Sequence, residues 1–269
     1  MTPLLSLQNI SVGYRKKIII QGISFDLYAG EFCALLGLNG SGKTTLLKAI
    51  CGLIPIDSGT CTAGGQDCTR LSEKKRANYI SYIPQRYSEM LGVSVIEAVQ
   101  MGLNPSLGLL AFPARRDTDQ VRIALDKIGI GNLSGKIFSQ LSEGQKQLVI
   151  LARSFVQNTP VMLMDEPDSS LDFLNRHRVL DMIRSLIYCE GKAGLIAAHD
   201  PNLALRCCDR LILIHGGKIS SDLRLSEANA ERIEQCLSAI YGNISLLKQG
   251  EKYIVLYDED KRGNHAEKN

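Results

Sequence analysis

The stretch Glu31 to Cys51, EFCALLGLNGSGKTTLLKAIC, limits what this chain can fold into more than any other. Phe32 to Leu36 is an unbroken apolar run, the pattern of a strand buried on both faces. It enters a loop containing Gly37 and Gly42, followed by Lys43, Thr44 and Thr45. Leu46, Leu47 and Ile50 then recur at helical spacing. This is the pattern GxxxxGK[ST] in the strand–loop–helix setting that gives it meaning. The glycines let backbone N–H groups turn inward around phosphates, and the helix N-terminus adds a favourable dipole. Lys43 is placed to reach the β- and γ-phosphates of a nucleotide, and the Thr44 hydroxyl to ligate Mg²⁺. The plainer alternative is a glycine-rich turn before an ordinary helix. The flanking strand and helix favour the nucleotide site.

A chain of 269 residues can bury a sizeable core, as one large domain or one domain with a lobe. Its 45% hydrophobic and 22% charged residues are those of an ordinary globular protein. A net charge of +3 is too small to point by itself to nucleic acid or an anionic membrane. No apolar run approaches the length that crosses a bilayer. The start, MTPLLSLQNISVGY, lacks a basic region before a long apolar stretch, so it is not read as a secretory signal. The eight cysteines form no CxxC pair and have no histidine at metal spacing. Cys33 and Cys51 read as core, Cys207 and Cys208 as packing residues. A reduced cytosolic chain without disulfides is expected.

Leu4 to Val12 alternates and predicts a strand whose buried face is weakly decided. Ile18 to Leu27 predicts a second strand. Tyr14, between them, is either a packing residue or, if the chain returns beside the P-loop, a ring that stacks on a base. Gly52 to Gly65 predicts turns and a short hairpin, and Leu71 to Arg76 a short charged helix. Tyr79 to Ile83 predicts a strand ending at Pro84 and Gln85. From Arg86 to Gly135 the character changes to that of a helical lobe inserted between strands. There Val93 to Met101 and Asp117 to Ile128 are periodic, with a Gly/Pro loop over Asn104 to Pro113. Val93 reads as core, whereas Met90 and Leu91 are either core or a surface for a partner helix.

Ser142 sits where the N-cap of the next helix belongs, and a helix start carrying Ser and Gly also suits a phosphate. Val161 to Met164 predicts a strand closing on Asp165 and Glu166. In a P-loop protein a second strand ending in Asp supplies the carboxylate that holds Mg²⁺. Adjacent carboxylates point to opposite sides, which leaves Glu166 for an attacking water. A solvated acidic turn is the alternative. Phe173 to Tyr188 predicts a long amphipathic helix, and Ala193 to Ala198 a strand ending at His199 and Asp200. Such a histidine is most often structural or solvated, but beside a γ-phosphate it donates a hydrogen bond. Leu211 to His215, Gly216-Gly217 and Lys218 to Ser220 predict a hairpin. A helix over Ser226 to Tyr241 and a last hairpin over Ile244 to Tyr257 follow. The polar tail, Asp258 to Asn269, is expected to be disordered.

Taken together, these residues resemble a nucleotide-binding domain of the ATP-binding cassette (ABC) family, over nearly the whole chain. The motifs come in the family's order: Tyr14 in the aromatic loop, GLNGSGKT as Walker A, and Gln85 as the Q-loop. LSEGQ then matches the signature, VMLMDE Walker B, SSLD the D-loop, and His199 the switch histidine. The resemblance implies an α/β fold, a P-loop NTPase core of mixed sheet with an antiparallel β subdomain and an inserted helical subdomain. Residues 1–85 and 160–222 would form the core with its β subdomain, and residues 86–159 the helical subdomain. Residues 223–257 would be a C-terminal extension.

By the same resemblance the chain is an ATPase that binds ATP and Mg²⁺, and two copies sandwich two ATP molecules. Walker A of one copy would hold the nucleotide through Gly37, Asn39, Gly40, Ser41, Gly42, Lys43, Thr44 and Thr45. Ser142, Gly144 and Gln145 of the other copy would meet its γ-phosphate. Glu166 would be the general base, with Lys43, Gln85 and His199 completing the catalytic set. Thr44, Asp165 and Gln85 would serve Mg²⁺, His199 would sense the γ-phosphate, and Asp172 would couple across the interface.

Within the family the chain is similar to the ATPases of bacterial importers for iron-siderophores, haem and vitamin B12. SVIEAVQMGLNPSLGLL and the compact single cassette carry that likeness. It implies a peripheral protein on the cytoplasmic face of the inner (cell) membrane, bound to a separate permease. An extracytoplasmic substrate-binding protein is an indirect partner, and nucleic acid is not one. The alternatives are a soluble ABC ATPase acting on nucleic acid or ribosomes, or an exporter subunit. Against the soluble class, only about a hundred residues separate Walker A from the signature, too few for a long coiled coil. Two departures stand out. Glu143 occupies a position where the signature has glycine, and its charge is expected to moderate ATP affinity or dimer closure. Asp168-Ser169 replaces the common Thr-Ser or Thr-Thr after Pro167.

Overall fold

The computed structural model describes residues 1–14, 17–105, 115–250 and 252–258. The chain opens with strands β1 (Leu5–Tyr14), β2 (Lys17–Leu27) and β3 (Phe32–Leu36), and the P-loop leads into helix α1 (Lys43–Cys51). Strands β4 (Ser58–Ala63) and β5 (Gln66–Asp67) and the one-turn helix α2 (Glu73–Arg76) precede β6 (Ile80–Ile83). The lobe holds α3 (Val95–Gln100), α4 (Arg115–Ile128) and α5 (Glu143–Gln157). Then come β7 (Val161–Asp165), α6 (Phe173–Cys189), β8 (Ala193–Ala197), α7 (Pro201–Cys207), β9 (Arg210–His215) and β10 (Lys218–Arg224). Helix α8 (Ala230–Tyr241) and the hairpin β11 (Ile244–Gln249) and β12 (Lys252–Tyr257) end the described chain. No described helix is long and apolar enough to cross a membrane.

The main sheet has the order β10-β9-β3-β8-β7-β6, with β9 through β6 parallel and β10 antiparallel at one edge. Alternation sorts its side chains between two cores. Phe32, Ala34 and Leu36 enter the core shared with the helical lobe. Cys33 and Leu35 enter the core shared with α1 and the antiparallel sheet, of order β2-β1-β4-β5. Burial on both faces is why β3 and β7 read as unbroken apolar runs.

The undecided face of β1 has a specific cause. Leu5 and Leu7 are buried, and so are Ile10 and Val12, which have the opposite parity. Asn9 adopts φ 51 and the register with β2 shifts between Leu7 and Ile10. A bulge therefore inserts one residue and returns the apolar side chains to the same core.

Other differences from the sequence reading are local. Helix α7 was not expected: Asp200 caps it by accepting from the Asn202 backbone N–H at 2.9 Å, and Pro201 opens its first turn. Helix α8 starts later than Ser226 because Asn229 is its N-cap. Strand β10 runs to Arg224 rather than ending at Ser220. Met90 and Val93 pack partly buried against the lobe core, and Leu91 is 80% exposed. Most of the Gly/Pro loop over Asn104 to Pro113, and all of the tail but Asp258, lie outside the described residues. All eight cysteines are free thiols, and burial pushes those of Cys33 and Cys51 well above their usual pKa.

Arg76, read from sequence only as part of a charged helix, proves to be a buried tie. Its guanidinium donates to the carbonyls of Cys68 (2.6 and 3.0 Å), Cys51 (3.1 Å) and Leu71 (3.1 Å). Cys51 ends α1, so the cation meets the negative end of the P-loop helix. Gly52 leaves the room: a Cβ there would lie 0.9 Å from Arg76 Nη1. Replacing Arg76 by Met would take a charged donor from three carbonyl oxygens. We expect a loss of about 2–4 kcal/mol in urea denaturation, and an unchanged midpoint would refute the assignment.

Candidate active site

Four strands deliver residues to one place at their carboxyl ends, where ligands bind in open α/β sheets. Beyond β3 the chain passes so close to Ile214 that a Cβ at Gly37 would lie 2.4 Å from the Ile214 carbonyl oxygen. Gly42 caps α1 at φ 103, where a Cβ would meet Ile20 at 2.5 Å. Gly37 is thus dictated by a close backbone approach and Gly42 chiefly by its left-handed φ. Lys43 is only 5% exposed and donates to the carbonyls of Gly37 (2.7 Å) and Leu38 (3.3 Å). Burial pulls its pKa down, against the opposing effect of Glu166 and Asp165.

The loop lines a cleft of about 530 Å³ through Asn39, Gly40, Ser41, Gly42, Lys43, Thr44 and Thr45. Tyr14, Gln85, Glu166 and His199 line its other walls, with Ile19, which the sequence did not single out. The Thr44 hydroxyl donates to Asp165 Oδ1 at 3.0 Å, and the Tyr82 hydroxyl to Asp165 Oδ2 at 3.2 Å. Asp165 is 1% exposed. A hydroxyl and a carboxylate this close form a hard-oxygen pair that fits Mg²⁺, whose remaining ligands would be phosphates and water. Tyr82 escaped the sequence reading because a tyrosine in ISYI looks like any strand residue.

Glu166 turns the other way. Its backbone has φ 51, and its N–H is held by the Ala197 carbonyl at 3.1 Å. A left-handed conformation costs a non-glycine residue on the order of 1 kcal/mol. Gln85 Nε2 donates to Glu166 Oε2 at 2.5 Å, and His199 Nε2 meets Glu166 Oε1. The adjacent carboxylates therefore have separate partners. Gln85 is bonded to Glu166 rather than to the Thr44–Asp165 pair, and His199 likewise faces the glutamate.

The remaining candidates stay outside this cleft. Ser142 and Gln145 form a capping box on α5, with Ser142 Oγ accepting from the Gln145 N–H at 3.3 Å. Gly144 sits in the same first turn, where a Cβ would meet the Ser170 carbonyl oxygen at 3.4 Å. Asp172 caps α6 by accepting from the Asn175 N–H at 2.8 Å. Ser142 and Asp172 are exposed.

Both departures have partners within the chain. Glu143 accepts from Lys146 Nζ at 2.9 Å and from the Tyr87 hydroxyl at 3.0 Å, and Lys146 also reaches Glu89 at 2.7 Å. These bonds, that from Lys146 first, hold the Glu143 carboxyl below its usual pKa. The carboxylate thus shares one ammonium with Glu89 instead of standing free. Asp168 pairs with Arg176 at 3.3 Å, while burial raises its pKa.

Residues 20–169 match the family model described as "ABC transporter". A probable iron chelatin transport ATP-binding protein of Helicobacter pylori is 34% identical, with 80% of this chain and 85% of that protein covered. The manganese transport system ATP-binding protein MntB of Bacillus subtilis is also 34% identical, with 90% and 94% covered. Among solved structures, a metal-chelate type ABC transporter in an inward-facing conformation superposes with a TM-score of 0.79 at 25% identity, covering 96% of this chain and 99% of that one.

With the Glu143 carboxylate already paired to Lys146, Glu143→Gly is expected to change the ATP Kd by less than about fivefold, since a solvated ion pair is worth about 0–1 kcal/mol. Isothermal titration measures this, and a tenfold change would mean that the carboxylate acts on the nucleotide directly.

Proposed function

The chain belongs to the ABC transporter family and is an ATPase, and on that premise we propose that it powers an importer of a metal chelate of the iron-siderophore, haem or cobalamin kind. One observation carries the hydrolytic part: Glu166 shares a cleft with the P-loop while Asp165 beside it holds Thr44. The names of the iron-chelatin relative and of the metal-chelate structure support the cargo class. The manganese-transport relative spans more of the chain and favours a second reading, a bare metal ion as cargo.

In this reading the N–H groups of the loop from Gly37 to Thr45 cradle the ATP phosphates, and Tyr14 stacks on the base. Lys43 leaves the carbonyls of Gly37 and Leu38 for the β- and γ-phosphates. Thr44 and Asp165 would hold Mg²⁺, with Gln85 at hand in the same cleft. When bound, the ion offsets the charge on the phosphates. Glu166 takes the proton of the attacking water. Both its oxygens are engaged, so it accepts a water by releasing Gln85 or His199, and a released His199 can donate to the γ-phosphate.

Ser142, Gly144 and Gln145 would complete the site from a second copy, with Asp172 crossing the interface. ATP then closes a homodimer, and loss of the γ-phosphate contacts opens it. A separate permease takes up the movement, with an extracytoplasmic binding protein delivering cargo. In this reading the chain works at the cytoplasmic face of the cell membrane.

Glu166→Gln should still bind ATP, lose about 10² to 10⁴ in turnover, and elute as an ATP-dependent dimer in gel filtration. Native turnover in that variant would sink the base assignment. The trapped protein, used as bait in solubilised native membranes, should recover a polytopic permease. Ribosomes or nucleic-acid proteins without a permease would overturn the transport role.

A further inference from the structure

The C-terminal extension carries no motif, yet it grips the start of α7, the helix that follows His199. Asn202 Oδ1 accepts from the Val255 N–H at 2.7 Å, and Asn202 Nδ2 donates to the Val255 carbonyl at 3.3 Å. The side-chain amide thus pairs with β12 as another strand would. Val255 lies opposite Leu246 in the hairpin, and the Leu246 N–H donates outward as well, to Glu234 of α8 at 3.0 Å. The hairpin is therefore fixed on two sides, to α7 through Asn202 and to α8 through Glu234. Helix α8 is itself anchored by Ile233 and Leu237, both fully buried.

The switch loop is short. The Ala198 N–H is bonded to the Leu35 carbonyl of β3 at 3.1 Å, and the Asn202 side chain to Val255 of β12. Between those anchors lie only His199, Asp200 and Pro201, and proline removes one of the free torsions. Where α7 sits thus decides where the His199 ring meets Glu166.

We propose that Asn202 is a positioning residue for ATP hydrolysis, through which the hairpin β11–β12 holds His199 against Glu166. The inference rests on the reading of Glu166 and His199 as part of the hydrolytic site. Asn202 does not line the nucleotide cleft. Its loss therefore affects the geometry of hydrolysis and leaves nucleotide binding intact.

The test uses the full chain and three variants, Asn202→Ala, Val255→Pro and the double. Val255→Pro removes the N–H that Asn202 accepts without touching the amide, and an outward-facing edge position accepts proline. Each single change should lower kcat about 5- to 10-fold with KM and ATP Kd within about twofold. The double should fall no further than the worse single, as expected for one shared interaction. The His199 ring resonances should shift in each variant while those of His215 do not.

Unchanged kcat and His199 resonances in a folded Asn202→Ala chain would overturn the proposal, as would losses confined to KM or additive losses in the double. A native chain that hydrolyses no ATP would instead overturn the functional reading. The His199 resonances need no turnover and still decide the present one.

Discussion

The division of labour in the candidate cleft depends on the backbone at Glu166. One residue after β7 the chain turns left-handed, and the Glu166 N–H takes the carbonyl of Ala197 on the neighbouring strand. That turn separates two adjacent carboxylates. Asp165 continues the strand and meets Thr44 from α1, whereas Glu166 meets Gln85 after β6 and His199 after β8. Parallel pairing of β6, β7 and β8 brings those ends level, so the strained residue is held by the same ladder that positions its partners.

The scaffold around the cleft is tied by buried cations more than by exposed ion pairs. Arg76 closes the C-terminus of α1 through carbonyls alone. Arg210 binds Asp222 through two 2.6 Å bonds, the Asp26 carbonyl at 2.7 Å and Glu31 at 3.2 Å, and so joins the two sheets. Lys192 reaches Asn158 and the Thr159 carbonyl beside the start of β7. A buried charge is tolerable only when its donors are satisfied, and each of these has several partners.

Two helix starts have a structural task beside the contact proposed for them. Ser142 and Asp172 cap α5 and α6 in the cassette itself, where caps are worth on the order of 1 kcal/mol each. The same exposed ends are those that the proposed sandwich would present to a second copy. A residue with a local structural task can carry a contact task as well, because a cap leaves part of its polar surface outward. Glu143 ties α5 to the segment after Gln85 through Tyr87, and Lys146 does so through Glu89.

What the sequence determined by itself was the set of elements around the P-loop and the order of its partner motifs. Those signals are local: an apolar run, a glycine spacing, a carboxylate pair ending a strand. The sandwich role of the signature came only from family resemblance. Tertiary structure alone decided the rest. The parity change at Asn9 depends on a bulge against β2, and the burial of Arg76 on the Cys51 carbonyl, 25 positions away, meeting those of Cys68 and Leu71. Helix α7 could be hinted at by Asp200-Pro201, but its bond to Val255 joins residues 53 positions apart. Such contacts leave no periodic trace, because spacing along a chain records which face a residue occupies and not which other segment will be brought to it.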